Sequence, residues 1–327
     1  MMLMPSTKPK ATNSTRKPVP KQTGAAKVLN APSLSEIPWL VHGFSTRVGG
    51  SSKSYGKPSL NLGFTKDDSR SAVEKNRATF LKKVGAPQWP TIEMKQVHSD
   101  VIHCVTALEE DRLVLAMEST IDDRGRAPRG FAHGLVGDGL VTNVPGILLA
   151  VKTADCMPVI LVDKKKKAIG IFHAGWRGTL HRIVEKGVGE MHRWFGSKPR
   201  DLHAALGPSI RDCCYTVGEE VRDHFRSQFE YADELFREWQ TYEDIHLKYP
   251  LLFLTMRAPG HSELPTQILL NLAEANRRQL MDAGVSQKNI TVLPQCTASD
   301  TKTFFSHRAE HGKTGRLMSV VGIRKIG

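Results

Sequence analysis

Thr153-Ala154-Asp155-Cys156-Met157-Pro158-Val159-Ile160-Leu161-Val162-Asp163-Lys164-Lys165-Lys166-Lys167-Ala168-Ile169-Gly170-Ile171-Phe172-His173-Ala174-Gly175-Trp176-Arg177-Gly178 decides how this chain folds. Val159–Val162 and Ala168–Phe172 are apolar runs of strand length, the signature of buried β-strands. Four lysines can suggest an anion site, but Lys164–Lys167 between two strands reads as a solvated hairpin turn. A hairpin brings the start of its first strand and the end of its second to one sheet edge. Cys156 precedes the first strand and His173 ends the second, so a thiol and an imidazole come within reach of one metal.

Outward from this hairpin, further strands are expected at Val41–Arg47, Thr91–Val97, Val101–Val105, Ile147–Lys152, Leu202–Leu206, Ile290–Leu293, Thr303–Ser306 and Leu317–Ile323. Helices are expected at Ser69–Val84, Gly178–Phe195, Val217–Phe229 and Thr266–Ala283, where apolar residues recur near helical spacing. Most of Leu108–Gly137 reads as loop. Several hairpins and few βαβ crossovers predict an α+β fold, mixed β-sheets flanked by helices, in a single domain from residue 34 to 327. No internal repeat is present.

Composition agrees with a folded domain, being 40% hydrophobic and 24% charged. No apolar run has membrane-spanning length, so no membrane partner is expected. The net charge is +13, and six of the basic residues lie before Glu36 in a stretch without acids. Residues 1–33 therefore read as a disordered basic extension. Prolines at positions 5, 9, 18 and 20 argue against the amphipathic helix of a transit peptide. No nucleic-acid motif accompanies the basic charge, so no specific nucleic acid is expected. Five cysteines, with Cys213 and Cys214 adjacent and no signal peptide, do not read as a disulfide framework. A reducing cytoplasm is the expected compartment.

Cys156 admits three readings: a buried structural thiol, a nucleophile with His173 as base, or a zinc ligand. His98, in Gln96-Val97-His98 between two expected strands, is the candidate third metal donor, and a satisfied core histidine is the other reading of both His98 and His173. Imidazole and thiolate suit Zn²⁺, and three protein ligands leave an open position. The strand–turn–helix start at His173-Ala174-Gly175-Trp176-Arg177-Gly178 suggests an anion site, with Arg177 adding charge. It lacks the P-loop pattern. None of the 13 histidines lies two residues from another, which speaks against a laccase-type cluster built on His-x-His pairs. His307 and His311 read as surface residues near a turn.

The chain resembles the laccase-domain family of purine nucleoside phosphorylases, also called multicopper polyphenol oxidase or peptidoglycan-editing-factor-like proteins. The resemblance rests on His42-Gly43-Phe44-Ser45-Thr46-Arg47-Val48-Gly49-Gly50, Leu60-Asn61-Leu62-Gly63, Gln96-Val97-His98 and Asp138-Gly139-Leu140-Val141-Thr142. It continues through the decisive stretch itself, Gly207-Pro208-Ser209-Ile210, Phe305-Ser306-His307-Arg308 and Thr314-Gly315-Arg316. The resemblance implies a cytotoxic-necrotizing-factor/laccase-domain-like fold and zinc on His98, Cys156 and His173, with copper the lesser alternative. It implies purine nucleosides and phosphate as substrates: phosphorolysis of adenosine, inosine and methylthioadenosine, plus adenosine deamination. Asp155 is then a proton shuttle or purine contact. Arg47 is the first phosphate candidate, followed by Arg177 and Arg308, with Asn61 as a further substrate contact. Ser99 and Ala309 depart from the family pattern, which has glycine and arginine there. A monomer is expected. The competing classes are a metal-free cysteine hydrolase, a cell-wall peptide editing factor, a copper oxidase and a nucleic-acid-binding protein acting through its basic tail.

Overall fold

A strand covered on both faces needs apolar residues at consecutive positions, and Val159–Val162 serves two cores at once. Val159 and Leu161 pack with helical residues such as Val184, Val188 and Leu280. Ile160 and Val162 point the other way, toward Phe44, Leu149, Val151 and Val321 of a second sheet. The computed structural model that shows this describes residues 25–56, 58–109, 112–115, 135–240 and 266–325.

In chain order the strands are β1 Val28–Leu29, β2 Leu40–Ser45, β3 Thr91–Ile92, β4 Ile102–Glu109, β5 Arg112–Leu115, β6 Gly139–Thr142, β7 Leu148–Thr153 and β8 Met157–Asp163. They continue with β9 Ala168–Ala174, β10 Leu202–Leu206, β11 Thr216–Val217, β12 Phe236–Gln240, β13 Thr266–Leu270, β14 Ile290–Val292 and β15 Leu317–Ile323. The helices are α1 Pro32–Ser35, α2 Arg70–Lys83, α3 Trp176–Leu180, α4 Ile183–Phe195, α5 Glu219–Arg226 and α6 Leu272–Asp282.

A five-stranded sheet runs β1-β2-β15-β7-β3, and a seven-stranded sheet runs β14-β10-β8-β9-β6-β4-β5. They pack face to face through the first core cluster. Helices α4 and α6 cover the outer face of the larger sheet, and Phe80 of α2 joins the core on the outer face of the smaller one. A three-stranded sheet, β11-β13-β12, stands beside them. The α+β expectation therefore holds. Among the described residues no helix is long and apolar enough to cross a membrane.

The hairpin forms with Pro158 opposite His173 and Met157 opposite Ala174. Its lysine turn lies at the far end, where Asp163 Oδ1 accepts the amides of Lys165 and Lys166 at 2.8 and 3.0 Å. Ser69 caps α2 by accepting from the Ala72 amide.

Five expectations need correction. The strand expected over Thr91–Val97 is confined to Thr91–Ile92. Thr266–Ala283 is a strand followed by a helix. Thr266–Leu270 pairs with Gln240–Phe236, and Asn271 then caps α6 by accepting the Glu274 amide at 3.0 Å. Gly178–Phe195 is two helices, broken where Arg182 takes a positive φ of 62°. The Arg182 guanidinium holds that break by bonding Glu185 and the Gln228 carbonyl and lying over the Phe229 ring. Thr303–Ser306 is a turn whose Phe304 and Phe305 are buried without strand pairing. Val217–Phe229 is helical only over Glu219–Arg226.

Residues 1–24 of the basic extension lie outside the described residues, as does most of the loop expected over 108–137, within which β5 forms. Packed chain begins ahead of Leu34, because Val28 and Leu29 pair with Ser45 and Phe44.

His42 on β2 is 6% exposed, and its Nε2 accepts the Ala31 amide at 3.0 Å. Burial drives its pKa from 6.5 down to about 4. The stability this neutral ring provides is complete above pH 6.5 and is lost as pH falls through 4. The loss amounts to about 3 kcal/mol. Denaturant titrations of His42→Gln should show a shallower fall in stability between pH 6.5 and 4 than the parent. Equal slopes would contradict this assignment.

Candidate metal centre and its cleft

The hairpin edge carries Cys156 and His173, and His98 arrives from the loop between β3 and β4. The donor atoms of the three residues lie within 4.8 Å of one another. His98 Nε2 is 3.7 Å from Cys156 Sγ, and the two imidazoles meet edge to face with centroids 4.9 Å apart. His173 is buried, Cys156 half-buried and His98 exposed, so the group opens to solvent on the His98 side.

Asp138 organises this group. It is fully buried, immediately before β6. Its Oδ1 accepts from His173 Nδ1 at 2.7 Å and from the His98 amide at 3.1 Å. Its Oδ2 accepts from the Val97 amide at 3.2 Å, the Ser99 amide at 2.6 Å and the Ser99 hydroxyl at 2.8 Å. The proton on His173 Nδ1 leaves Nε2 as the free donor, a carboxylate–histidine arrangement common behind metal ligands. Burial pushes the Asp138 carboxyl up, but His173 and Ser99 outweigh it and bring the pKa to about 2. Gln96 completes the support by bonding both the amide and the carbonyl of Lys152 on β7 at 2.8 Å.

Without a metal, Cys156 and His173 form a thiolate–imidazolium pair. Burial opposes both charges, yet each stabilises the other, lowering the thiol to about 6 and raising the imidazole to about 9. One sulfur and two imidazole nitrogens, with an orienting carboxylate behind one of them, fit a borderline-soft divalent ion.

Gly175 leaves room for the group. A Cβ there would lie 2.9 Å from Cys156 Sγ and 3.0 Å from His98 Cδ2, although the backbone (φ −77°, ψ 176°) suits alanine. Gly175→Ala should weaken metal binding by about tenfold or more through overpacking of 1–3 kcal/mol. Metal-competition titration checks this, with the metal-free melting temperature as control. Unchanged affinity would mean the donors have slack.

A cleft of about 810 Å³ opens above the donors. Arg177, Arg308 and Arg316 line it, as do Lys66 and Lys95. Arg177 lies over the Trp176 ring, 4.3 Å from the centroid, and no hydrogen bond to a described residue occupies its guanidinium. Arg308 lies over Tyr215 and bonds the Thr216 carbonyl at 2.6 Å. Lys152 also lines the cleft, but its ammonium is paired with Glu93 at 2.8 Å.

The other expected residues divide. Asp155 borders the cleft, with a positive φ of 92°, and its carboxylate latches the wall. Thr297 Oγ1 donates to its Oδ1, and the Arg308 amide to its Oδ2, both at 2.7 Å. Arg47 does not reach the cleft. Its guanidinium pairs with Glu310 at 2.9 Å, bonds the Thr301 and Tyr55 carbonyls at 2.7 and 2.8 Å, and lies over Phe305. Asn61 is fully buried, and it too works at a distance. It bonds Gly63 and Asp68 and accepts the Arg316 amide at 2.8 Å, so it positions two segments of the cleft rim. The expected helix-start anion site shrinks to Arg177, since α3 has only five residues. His307, expected as plain surface, lines the cleft. Sequence pattern alone gives Asp138 and Arg316 no role at the site, although both stand in segments that carry the family resemblance.

The family model described as multi-copper polyphenol oxidoreductase laccase matches residues 41–324. A curated relative from Geobacillus stearothermophilus named purine nucleoside phosphorylase YlmD is 34% identical over 286 residues, 87% of this chain and 90% of that protein. A protein of an unknown prokaryotic organism named adenosine deaminase RL5 is 31% identical over 279 residues, covering 85% of this chain and 92% of its own length. The crystal structure of Bacillus licheniformis hypothetical protein YfiH superposes with a TM-score of 0.69 at 32% identity, over 89% of this chain and 95% of the other.

Proposed function

Because the chain belongs to the multi-copper polyphenol oxidoreductase laccase family, we propose that it is a zinc-dependent purine nucleoside phosphorylase that also deaminates adenosine. The observation that carries this reading is the cationic cleft set directly over His98, Cys156 and His173. Relatives named purine nucleoside phosphorylase and adenosine deaminase support both halves of it. Adenosine, inosine and methylthioadenosine are the proposed nucleosides.

Zinc, which His98, Cys156 and His173 would hold, would supply Lewis acidity at the cleft floor. In phosphorolysis, a phosphate oxygen bonds the sugar C1′ while the C1′–purine nitrogen bond breaks, giving free base and sugar 1-phosphate. Phosphate must be held against that carbon. Arg177 is the leading residue for this, because no described residue hydrogen-bonds its fork of donors, which matches phosphate geometry. Arg308 and Arg316 add charge from the opposite segment. Tyr215 also lines the cleft. Burial, reinforced by the Cys156 charge, pushes its phenol pKa up, so the hydroxyl stays protonated and can donate toward the purine or sugar. Asp155 holds the Arg308 segment in place by its carboxylate.

The donor set favours this over multicopper oxidation. Among the described residues only one metal-capable group contains histidine, and it has two.

The test uses metal-assayed protein with adenosine, with and without phosphate. Adenine should form only with phosphate, and inosine in either case. Arg177→Ala should raise the phosphate KM about tenfold or more, the loss of a charged hydrogen bond of 1.5–3 kcal/mol, with a smaller change in the nucleoside KM. Absence of adenine release by zinc-loaded protein would sink the phosphorylase reading.

A further inference from the structure

Soft donors recur outside the cleft. Cys213 and Cys214 lie on the turn leading into β11, and Cys296 lies on the segment after β14. The three sulfurs are within 4.8 Å of one another, with Cys213 Sγ 3.4 Å from Cys214 Sγ. All three are free thiols. Cys296 is buried, Cys214 half-buried and Cys213 exposed, so the group has an anchored base and a path from solvent.

The backbone holds these sulfurs together. Ser209 and Cys296 form a parallel bridge, and the Thr297 amide donates to the Ser209 carbonyl at 3.1 Å. The Cys214 amide donates to the Arg211 carbonyl at 2.9 Å. The Arg211 guanidinium bonds the carbonyls of Leu293 and Gln295, which fastens the turn to the Cys296 segment. The same guanidinium sets a positive charge beside the Cys296 and Cys213 sulfurs, where Asp212 also contributes a negative one. A turn and a distant segment are thus cross-tied so that three thiols converge.

We propose that Cys213, Cys214 and Cys296 form a second metal site, a thiolate-only centre for cuprous ion. Three sulfurs without imidazole or carboxylate make a softer donor set than the cleft group, and such thiolates suit Cu(I) as well as zinc, so ligand number decides between them. Structural zinc sites almost always use four protein ligands, and this group offers three. The site's role is a clamp. It joins the turn that continues into Tyr215 to the segment that continues into Thr297, whose hydroxyl holds Asp155 at 2.7 Å. A cation here therefore fixes two parts of the cleft wall without touching substrate.

The test uses the full chain, reduced and kept anaerobic, in a Cys156→Ala background that removes the other accessible thiolate. Cu(I) is supplied from a chromogenic chelator. One equivalent should be taken up, with protection of Cys213 from alkylation. The additional changes Cys213→Ser and Cys214→Ser should abolish uptake. Cys213→Ser alone, at an exposed position, should weaken Cu(I) binding at least tenfold while the melting temperature stays the same. Zinc in excess should not displace the copper. Equal copper uptake with and without the serine changes would overturn the proposal, as would a Cys213–Cys214 disulfide with copper released, or displacement by zinc.

Discussion

Cys156→Ala should abolish tight zinc binding and reduce both nucleoside activities below detection, while the chain stays folded. The thiolate is the only anionic donor among the three metal-capable residues. Its removal leaves two imidazoles, one of them exposed, which hold zinc far more weakly. The fold should survive because the side chain is half-buried and the change removes only its sulfur. Loss of the thiolate also removes the main charge that raises the His173 pKa, so imidazole titration should shift downward in the variant. Metal analysis, assay and melting temperature together check this. The same variant separates zinc chemistry from a cysteine hydrolase. A zinc thiolate resists alkylation until chelator is added, whereas a nucleophilic Cys156 is alkylated at once and ignores chelators. Full activity in chelator-treated, metal-free protein would refute the zinc scheme.

Asp138→Asn should be the most damaging change among residues outside the donor set. The carboxylate accepts five hydrogen bonds, two on Oδ1 and three on Oδ2. An amide presents N–H to one set or the other, so buried donors face a donor in either rotamer. Disrupting such a charged, buried network costs about 3–5 kcal/mol. Altering the partner of a metal-ligating histidine costs a further 10–100-fold in metal affinity or activity. Denaturant midpoint and zinc competition should both fall. A variant with normal stability and normal zinc affinity would show that the His98 loop and His173 are held by something else. Ser99→Gly should be much milder, since it removes only the hydroxyl at 2.8 Å and keeps the amide at 2.6 Å.

The hairpin and two of its donors were legible because they depend on local pattern: apolar run, polar turn, apolar run. Register then follows, and Pro158 lies opposite His173. Long-range pairing was not legible. Arg47 announces a guanidinium, but its partner Glu310 is 263 positions away, and nothing local marks that ion pair. Asn61 misled for the same reason, since the Arg316 amide it holds is 255 positions on. Nothing local marks the role of Asp138, because a buried acceptor is recognised by the donors around it and those come from Val97–Ser99 and His173. Over Thr266–Leu270 the apolar run continued smoothly into that of α6, and only pairing with β12 makes it a strand.

The Asp155 latch has a consequence for a chain still emerging from the ribosome. All three cleft donors are synthesised by residue 173, well before the partners that fix their surroundings. Thr297 and Arg308 reach back 142 and 153 positions to grip Asp155, and β15 must insert between β2 and β7 to complete the smaller sheet. A nascent or truncated chain that stops short of Thr297 therefore carries every donor without the latch or the closing strand. Competence of the site arrives late in synthesis, because Thr297, Arg308 and β15 lock donors that are all in place once His173 has been added.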